Sequence, residues 1–221
     1  MTNEIFTPNR RTVMVGAAAM TALAAAPAFA VDDELSSKGY AIGDVVMGDP
    51  DAPVTIVEYA SLTCPHCANF HTGAYPEIKA DYIETGKAKL IMREVFFDQF
   101  GLWSTMIARC GGEAGYYTMI DMFLERQFDW YRAHVSAYNA TKNPQPIIDE
   151  MMKIGRLAGL SNDRMNACLS DQAYLEKLVT DFQTYSADDN VRSTPTFLIN
   201  GEVVSGNVSA AEMARVIESK L

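Results

Sequence analysis

Apolar residues gather along this chain in patterns of different period, and the order of those patterns predicts the elements. Val13 to Ala26 is a run of Val, Met, Ala and Leu broken only by small residues. Val31 to Asp51 is polar and Gly-rich, an arm with one short strand near Ala41–Met47. Val54–Ala60 is β-branched and mostly apolar, the signature of a buried strand. From Pro65 to about Thr85 the pattern is helical, with Thr63 as its cap, Pro76 interrupting it and Gly86 its stop. Lys89–Phe97 predicts a second strand. Phe100 to Asp189 then keeps helical periodicity with almost no strand signal, and Pro144, Pro146, Gly155 and Gly159 divide it into several helices. Thr196–Asn200 and Glu202–Ser205 flank Asn200-Gly201, a strong hairpin signal. An amphipathic helix over Ala210–Leu221 ends the chain. The order is β–α–β, a helical block, then β–β–α.

The first apolar run gains its meaning from its flanks. Arg10-Arg11 precedes it and Ala28-Phe29-Ala30 follows, so residues 1–30 have the charged start, short apolar middle and small-residue exit of a signal peptide. The run is roughly fourteen residues, short of the ~20 that span a bilayer. Export to the periplasm is expected, by the general or the twin-arginine route. A net charge of −10 argues against nucleic acid or an anionic membrane as partner. The four cysteines, an even count, suit an oxidising compartment. They divide into a tight pair, Cys64 and Cys67, and a wide one, Cys110 and Cys168.

Cys64-Pro65-His66-Cys67 follows a buried strand where a helix begins. Pro65 falls where the first helical turn tolerates a missing N–H. Cys64 then meets unpaired backbone N–H groups and the positive end of the helix dipole, and both favour the thiolate. His66 adds a donor or a positive charge beside the same sulfur. Each unit by which a thiolate pKa falls stabilises the dithiol by about 1.4 kcal/mol. A stabilised dithiol makes its disulfide a stronger oxidant. C-x-x-C alone also admits a zinc site with Cys64, Cys67 and His71, or a purely structural disulfide. A structural zinc site wants four ligands, and no second cluster of that kind follows. Haem attachment needs His directly after the second cysteine, where Ala68 stands. No metal and no cofactor are expected.

Taken together, Gly48-Asp49-Pro50-Asp51-Ala52-Pro53-Val54-Thr55-Ile56-Val57-Glu58-Tyr59, the Cys-Pro-His-Cys motif, Thr194-Pro195-Thr196-Phe197 and Asn200-Gly201 resemble the DsbA-like thiol–disulfide oxidoreductases of the thioredoxin superfamily. The resemblance extends over the chain beyond the signal peptide. It implies an α/β thioredoxin fold with an all-helical domain inserted between the β–α–β and β–β–α halves. The parts are then residues 31–53 as the arm, 54–99 and 190–221 as the thioredoxin-fold domain, and 100–189 as the insertion. It implies that Glu58 exchanges protons with Cys67, although a strand position open to solvent is the plainer reading of an acid there. An X–Pro bond is trans by default, with about 5% cis in folded proteins. The resemblance implies instead a cis-proline loop at Thr194-Pro195, lying against Cys64 and offering backbone groups to an extended substrate.

The activity implied is the introduction of disulfides into newly exported cysteine-containing proteins by a monomer that a DsbB-like, quinone-linked membrane enzyme reoxidises. Isomerase or reductase activity at the same site is the first alternative, and a redox-inactive chaperone for unfolded chains the second. Cys110 and Cys168 depart from the best-known pattern, and a structural bridge is their expected role. Closing a loop of roughly sixty residues would contribute about 4 kcal/mol in the chain-entropy model.

Other residues carry plainer expectations. His71, one turn beyond Cys67, is read as a surface helix position, with modulation of the redox site as the alternative, and His134 as a surface or capping residue. Phe96, Phe97, Phe100, Trp103, Met106 and Tyr116 are read as core packing the insertion on the sheet, with an apolar groove for unfolded chains as the alternative. Asp188-Asp189 is read as a solvated helix end.

Overall fold

The computed structural model describes residues 28–221; the expected signal peptide lies outside the described residues except for Ala28–Ala30. Those three residues open helix α1 (Ala28–Ser37), which the polar composition of the arm did not predict. The expected strand of the arm shortens to β1 (Val46–Met47). Strand β2 (Val54–Ala60) follows as expected.

The long helix expected after the redox motif is broken. Helix α2 (Pro65–Thr72) stops at Gly73, where an added Cβ would lie 2.9 Å from the Asn69 carbonyl. Pro76 sits in the first turn of α3 (Tyr75–Ile78), where its missing N–H costs nothing, and a π-helical turn over Lys79–Ile83 completes the segment. Gly73, not Pro76, makes the break. Strand β3 (Ala88–Glu94) returns parallel to β2.

Six helices lie in sequence between β3 and the next strand. They are α4 (Gln99–Cys110), α5 (Glu113–Glu125), α6 (Ala133–Thr141), α7 (Gln145–Leu157), α8 (Asn162–Ser170) and α9 (Gln172–Asp188), with a π-helical turn over Phe128–Arg132 before α6. Asp98 caps α4, its carboxylate accepting from Phe100 N–H and Gly101 N–H at 2.8 and 2.9 Å. Strands β4 (Thr196–Ile199) and β5 (Glu202–Ser205) form the expected hairpin. Asn200 and Gly201 both have positive φ (45° and 86°), as a tight primed turn requires. Helix α10 (Ala210–Glu218) closes the chain.

The sheet order is β1-β3-β2-β4-β5, with β2 and β3 parallel and the other neighbours antiparallel. One apolar core joins β2, α2 and β3 residues such as Ala60, Cys67 and Met92 to the inserted helices through Phe100, Ile107, Tyr116 and Trp130. A second joins Val54, Ile56, Leu90 and Phe197 of the sheet to Tyr75, Ile78, Met213 and Ile217 of α3 and α10. A third gathers Leu35 and Tyr40 with Met106, Tyr174 and Leu178, and so seats the arm on the insertion. This is the thioredoxin topology with a helical insertion, and it places β2 at the centre of the sheet with the start of α2 at its carboxyl end.

Candidate active site

Cys64 occupies the N-cap position of α2 in extended conformation (φ −78°, ψ 120°). Thr63, expected as the cap, lies one residue outside, and its hydroxyl meets Ser61 Oγ at 3.2 Å. The reason is geometric: with Pro65 opening the helix, the residue before it takes the cap. Pro65 and His66 are exposed, whereas Cys67 is fully buried and Cys64 retains 7% exposure. Both cysteines are free thiols.

Their environments push them apart. For Cys64 the hydrogen bond from Cys67 is the largest influence and outweighs burial. Thr194 and the backbone N–H groups of Cys67 and His66 add to it, and the Cys64 thiol is lowered to about 5. Burial pushes the Cys67 thiol well up, and its hydrogen bond to Cys64 and the charges of Cys64 and Glu58 push the same way. One sulfur is thus poised as an anion and the other held protonated.

The Thr194-Pro195 peptide bond is cis, and the Thr194 carbonyl lies 3.6 Å from Cys64 Sγ. Sequence-distant residues Cys64 and Thr194 therefore meet beyond the carboxyl end of β2, where β4 begins. Beside them, Val95, Phe97, Phe182, Val191 and Thr194 line a cavity of about 150 Å³, and the Phe97 ring is 62% exposed. The other five expected core residues separate: Phe100, Met106 and Tyr116 are buried, and Phe96 and Trp103 partly so.

Glu58 faces neither solvent nor an edge. It lies on β2 between Met92 of β3 and Phe197 of β4, with no exposed surface. Its carboxylate is 3.1 Å from His71 Nε2. His71 is 3% exposed, which corrects its reading as a surface residue. Four residues after Cys67 on α2, it shares the inward helix face, and the buried acid gives it a charged partner there. Two signals in the sequence could have found it: a carboxylate in a buried strand needs a partner, and position i+4 from a buried cysteine points the same way.

Sequence patterns gave no hint of Gln127, on the link after α5. Its Nε2 donates to the carbonyls of Leu62 and Cys64 at 2.9 and 2.8 Å, tying the insertion to the redox loop. Asp189 is likewise not a free helix end; it accepts from Tyr59 and from Arg93, whose guanidinium also grips Asp44. His134 is half-buried. Cys110 and Cys168 form a disulfide between α4 and α8, Cα–Cα 6.1 Å. Among the described residues, no group of His, Cys, Asp and Glu could hold a metal ion, and no helix is long and apolar enough to cross a membrane.

Comparison with known proteins places this geometry. The family model described as thioredoxin matches residues 41–219. A Rickettsia bellii protein named as a protein-disulfide oxidoreductase is 30% identical over 179 residues, 80% of this chain. That alignment spans 64% of the Rickettsia protein, so the chain covers just under two thirds of its length. The crystal structure of Wolbachia pipientis alpha-DsbA1 superposes with a TM-score of 0.71 at 28% identity, covering 80% of this chain and 90% of that one. Oxidised BdbD of Bacillus subtilis, at 19% identity, shares the fold with a TM-score of 0.67 over 82% of this chain and 97% of its own. With the cysteine pair at the start of α2 and the cis-proline loop against it, the chain belongs to the thioredoxin family, in its DsbA-like branch.

Proposed function

We propose that the protein is an exported thiol:disulfide oxidoreductase that introduces disulfides into newly translocated proteins. The observation that carries this reading is the opposed pair: the Cys64 thiol lowered to about 5 and the neighbouring Cys67 thiol raised. An anion-stabilising site at Cys64 favours the dithiol, and so makes the disulfide form an oxidant. In the cycle a substrate thiolate attacks Cys64 of the disulfide, and Cys67 leaves with the electron pair and takes a proton. A second substrate thiolate then attacks the substrate sulfur of the mixed disulfide, and Cys64 departs as a stable thiolate. Both substrate sulfurs are oxidised and both protein sulfurs reduced. Pro65 and His66 shape the exposed turn. Glu58 exchanges the proton of Cys67, and the Thr194-Pro195 segment offers backbone to an extended substrate. Residues 54–99 and 190–221 form the redox domain, residues 100–189 cover it, and Cys110–Cys168 is a structural staple.

The name of the Rickettsia relative, protein-disulfide oxidoreductase, supports the activity. Periplasmic location and reoxidation by a quinone-linked membrane enzyme complete the proposal, with a monomer as the working form. Refolding of a reduced, denatured disulfide protein tests it: the oxidised protein accelerates the gain of native disulfides. No acceleration sinks the reading. An equilibrium with glutathione that leaves Cys64 and Cys67 joined under reducing conditions would favour reductase chemistry instead.

A further inference from the structure

Behind Glu58 the side chains continue as a row of alternating charge. His71 Nε2 faces Glu58 at 3.1 Å, and His71 Nδ1 lies 3.8 Å from Asp121 Oδ1. The other oxygen of Asp121 takes Lys79 Nζ at 3.3 Å. Glu58 belongs to β2 and His71 to α2, but Asp121 projects from α5, in the insertion. The row therefore crosses the seam between the sheet and the inserted helices, from a carboxylate with no exposure to one 21% exposed.

Two atoms mark the crossing. His71 Nδ1 and Asp121 Oδ1 are buried and lack a hydrogen-bond partner, and they face each other. Unpartnered buried polar atoms are costly, so a pair of them aimed at one another calls for a role. The groups facing His71 are Glu58 from β2, Asp121 from α5 and the Tyr75 ring from α3, at 4.4 Å; Lys79 stands behind Asp121 and over Tyr75. Burial lowers the basicity of the imidazole, but the charges of Glu58 and Asp121 outweigh it and lift His71 to about 9. His71 is a cation at neutral pH, with a proton on each nitrogen.

We propose that His71 and Asp121 form a proton outlet for the buried redox cysteine, so that the inserted helices complete the active site. The inference rests on the oxidoreductase reading. When Cys67 closes the ring, its thiol proton passes to the Glu58 carboxylate and its sulfur bonds to Cys64. The bond from Cys64 to the departing partner breaks, and the partner leaves as thiolate. Glu58 is now neutral, and His71 releases its Nδ1 proton through Asp121 to water. Before the step the pair is carboxylate and imidazolium; after it, carboxylic acid and imidazole. The net charge under Cys67 stays at zero throughout, which removes the penalty for an isolated buried charge. Reduction runs the same path backwards. His71 acts through Glu58 and is a positioning residue.

The test is the rate at which the mixed disulfide between Cys64 and glutathione, formed from the reduced full-length protein and glutathione disulfide, closes to Cys64–Cys67 and releases glutathione. An unmodified chain closes at a rate nearly flat from pH 6 to 8. In His71→Gln the amide cannot release the compensating proton; closure slows about tenfold at pH 6, rises with pH and meets the unmodified rate near pH 9. Asp121→Asn keeps the Glu58–His71 contact and slows closure about threefold with the same pH shape. It alone decides the matter if His71→Gln does not fold. Both variants tracking the unmodified chain within twofold at every pH, while Glu58→Gln is slow, overturns the outlet and leaves the function standing. Failure of the unmodified chain to form or close the mixed disulfide overturns the oxidoreductase reading and this inference together.

Discussion

The two cysteine pairs of this protein are equally buried and chemically opposite. Cys64 and Cys67 are 7% and 0% exposed, Cys110 and Cys168 1% and 0%. Burial therefore does not separate the pair proposed to react from the pair joined as a disulfide. Neighbours do. Cys64 stands at a helix start, held by N–H groups, the Cys67 thiol and Thr194. Cys110 and Cys168 sit among Leu35, Tyr40, Met106, Tyr174 and Leu178, at the carboxyl ends of α4 and α8, where the helix dipole disfavours a thiolate. The buried acids of β2 and β3 repeat the contrast. Glu94 is locked by Arg109 through two bonds of 2.8 Å and by Tyr116, a fixed cation and a phenol that do not titrate near neutrality. Glu58 has a histidine. One arrangement holds a fold together, and the other can move a proton.

Serine at each pair gives the widest separation. Cys64→Ser removes the attacked sulfur, and disulfide transfer to a reduced substrate should fall by at least about a thousandfold, to the uncatalysed rate. The double variant Cys110→Ser, Cys168→Ser should do the reverse. Transfer stays within about twofold, while unfolding free energy drops by about 4 kcal/mol, seen as a melting temperature roughly 8–16 °C lower. Comparable loss of transfer in the double variant would mean that the second pair takes part in the chemistry, and the contrast would collapse.

How much of this could be read beforehand follows from how local each signal is. Val54–Ala60, the Asn200-Gly201 hairpin and the helical periodicity after Phe100 are set by period and turn chemistry within a few residues, and they emerged nearly as expected. Helix α1 did not, because Ala28–Ser37 carries neither an acidic first turn nor a basic last turn, and its Leu35 is held by the distant Met106 and Tyr174. The site divides the same way. Cys64, Cys67 and Pro65 announce themselves by spacing, and Thr194-Pro195 only through the family resemblance. His71 reads as polar and so as exposed until Glu58 and Asp121 are seen to close on it. Asp121 and Gln127 lie in unremarkable helical sequence, and only the docking of α5 on the redox loop gives them work.

The comparison sharpens further in pH. The Cys64 thiol is lowered to about 5, below the ~8.5 of an unfolded chain, so ionisation favours the folded dithiol. That contribution is complete above the unfolded value and disappears as pH falls through about 5. The stability of the reduced protein relative to the oxidised one should decline from pH 8 to pH 5, with a slope of at most about 1.4 kcal/mol per pH unit. Denaturant unfolding of the two forms across that range measures it. The sign is the point: a reduced form that gained on the oxidised form towards pH 5 would mean that the site does not hold a thiolate. The Cys110–Cys168 bridge, present in both forms, cancels from the difference.

The smallest effect addresses what the insertion does for the reactive pair. Gln127→Leu keeps the volume and removes both donors, leaving the Leu62 carbonyl without this bond, while the Cys64 carbonyl still accepts from Ala68 N–H at 3.2 Å. The substitution also removes Gln127 Oε1, itself buried and unpartnered, which offsets part of the loss. A net cost of about 1 kcal/mol follows, a fall of roughly 2–4 °C in melting temperature. Because the two bonds fix the carbonyls on either side of Thr63 rather than the N–H groups aimed at Cys64, the thiolate absorbance midpoint should stay near its original pH. A midpoint that rises by a unit or more would show instead that the inserted helices tune the sulfur through the loop they grip. The reactive pair would then owe its character to the insertion as well as to the helix start.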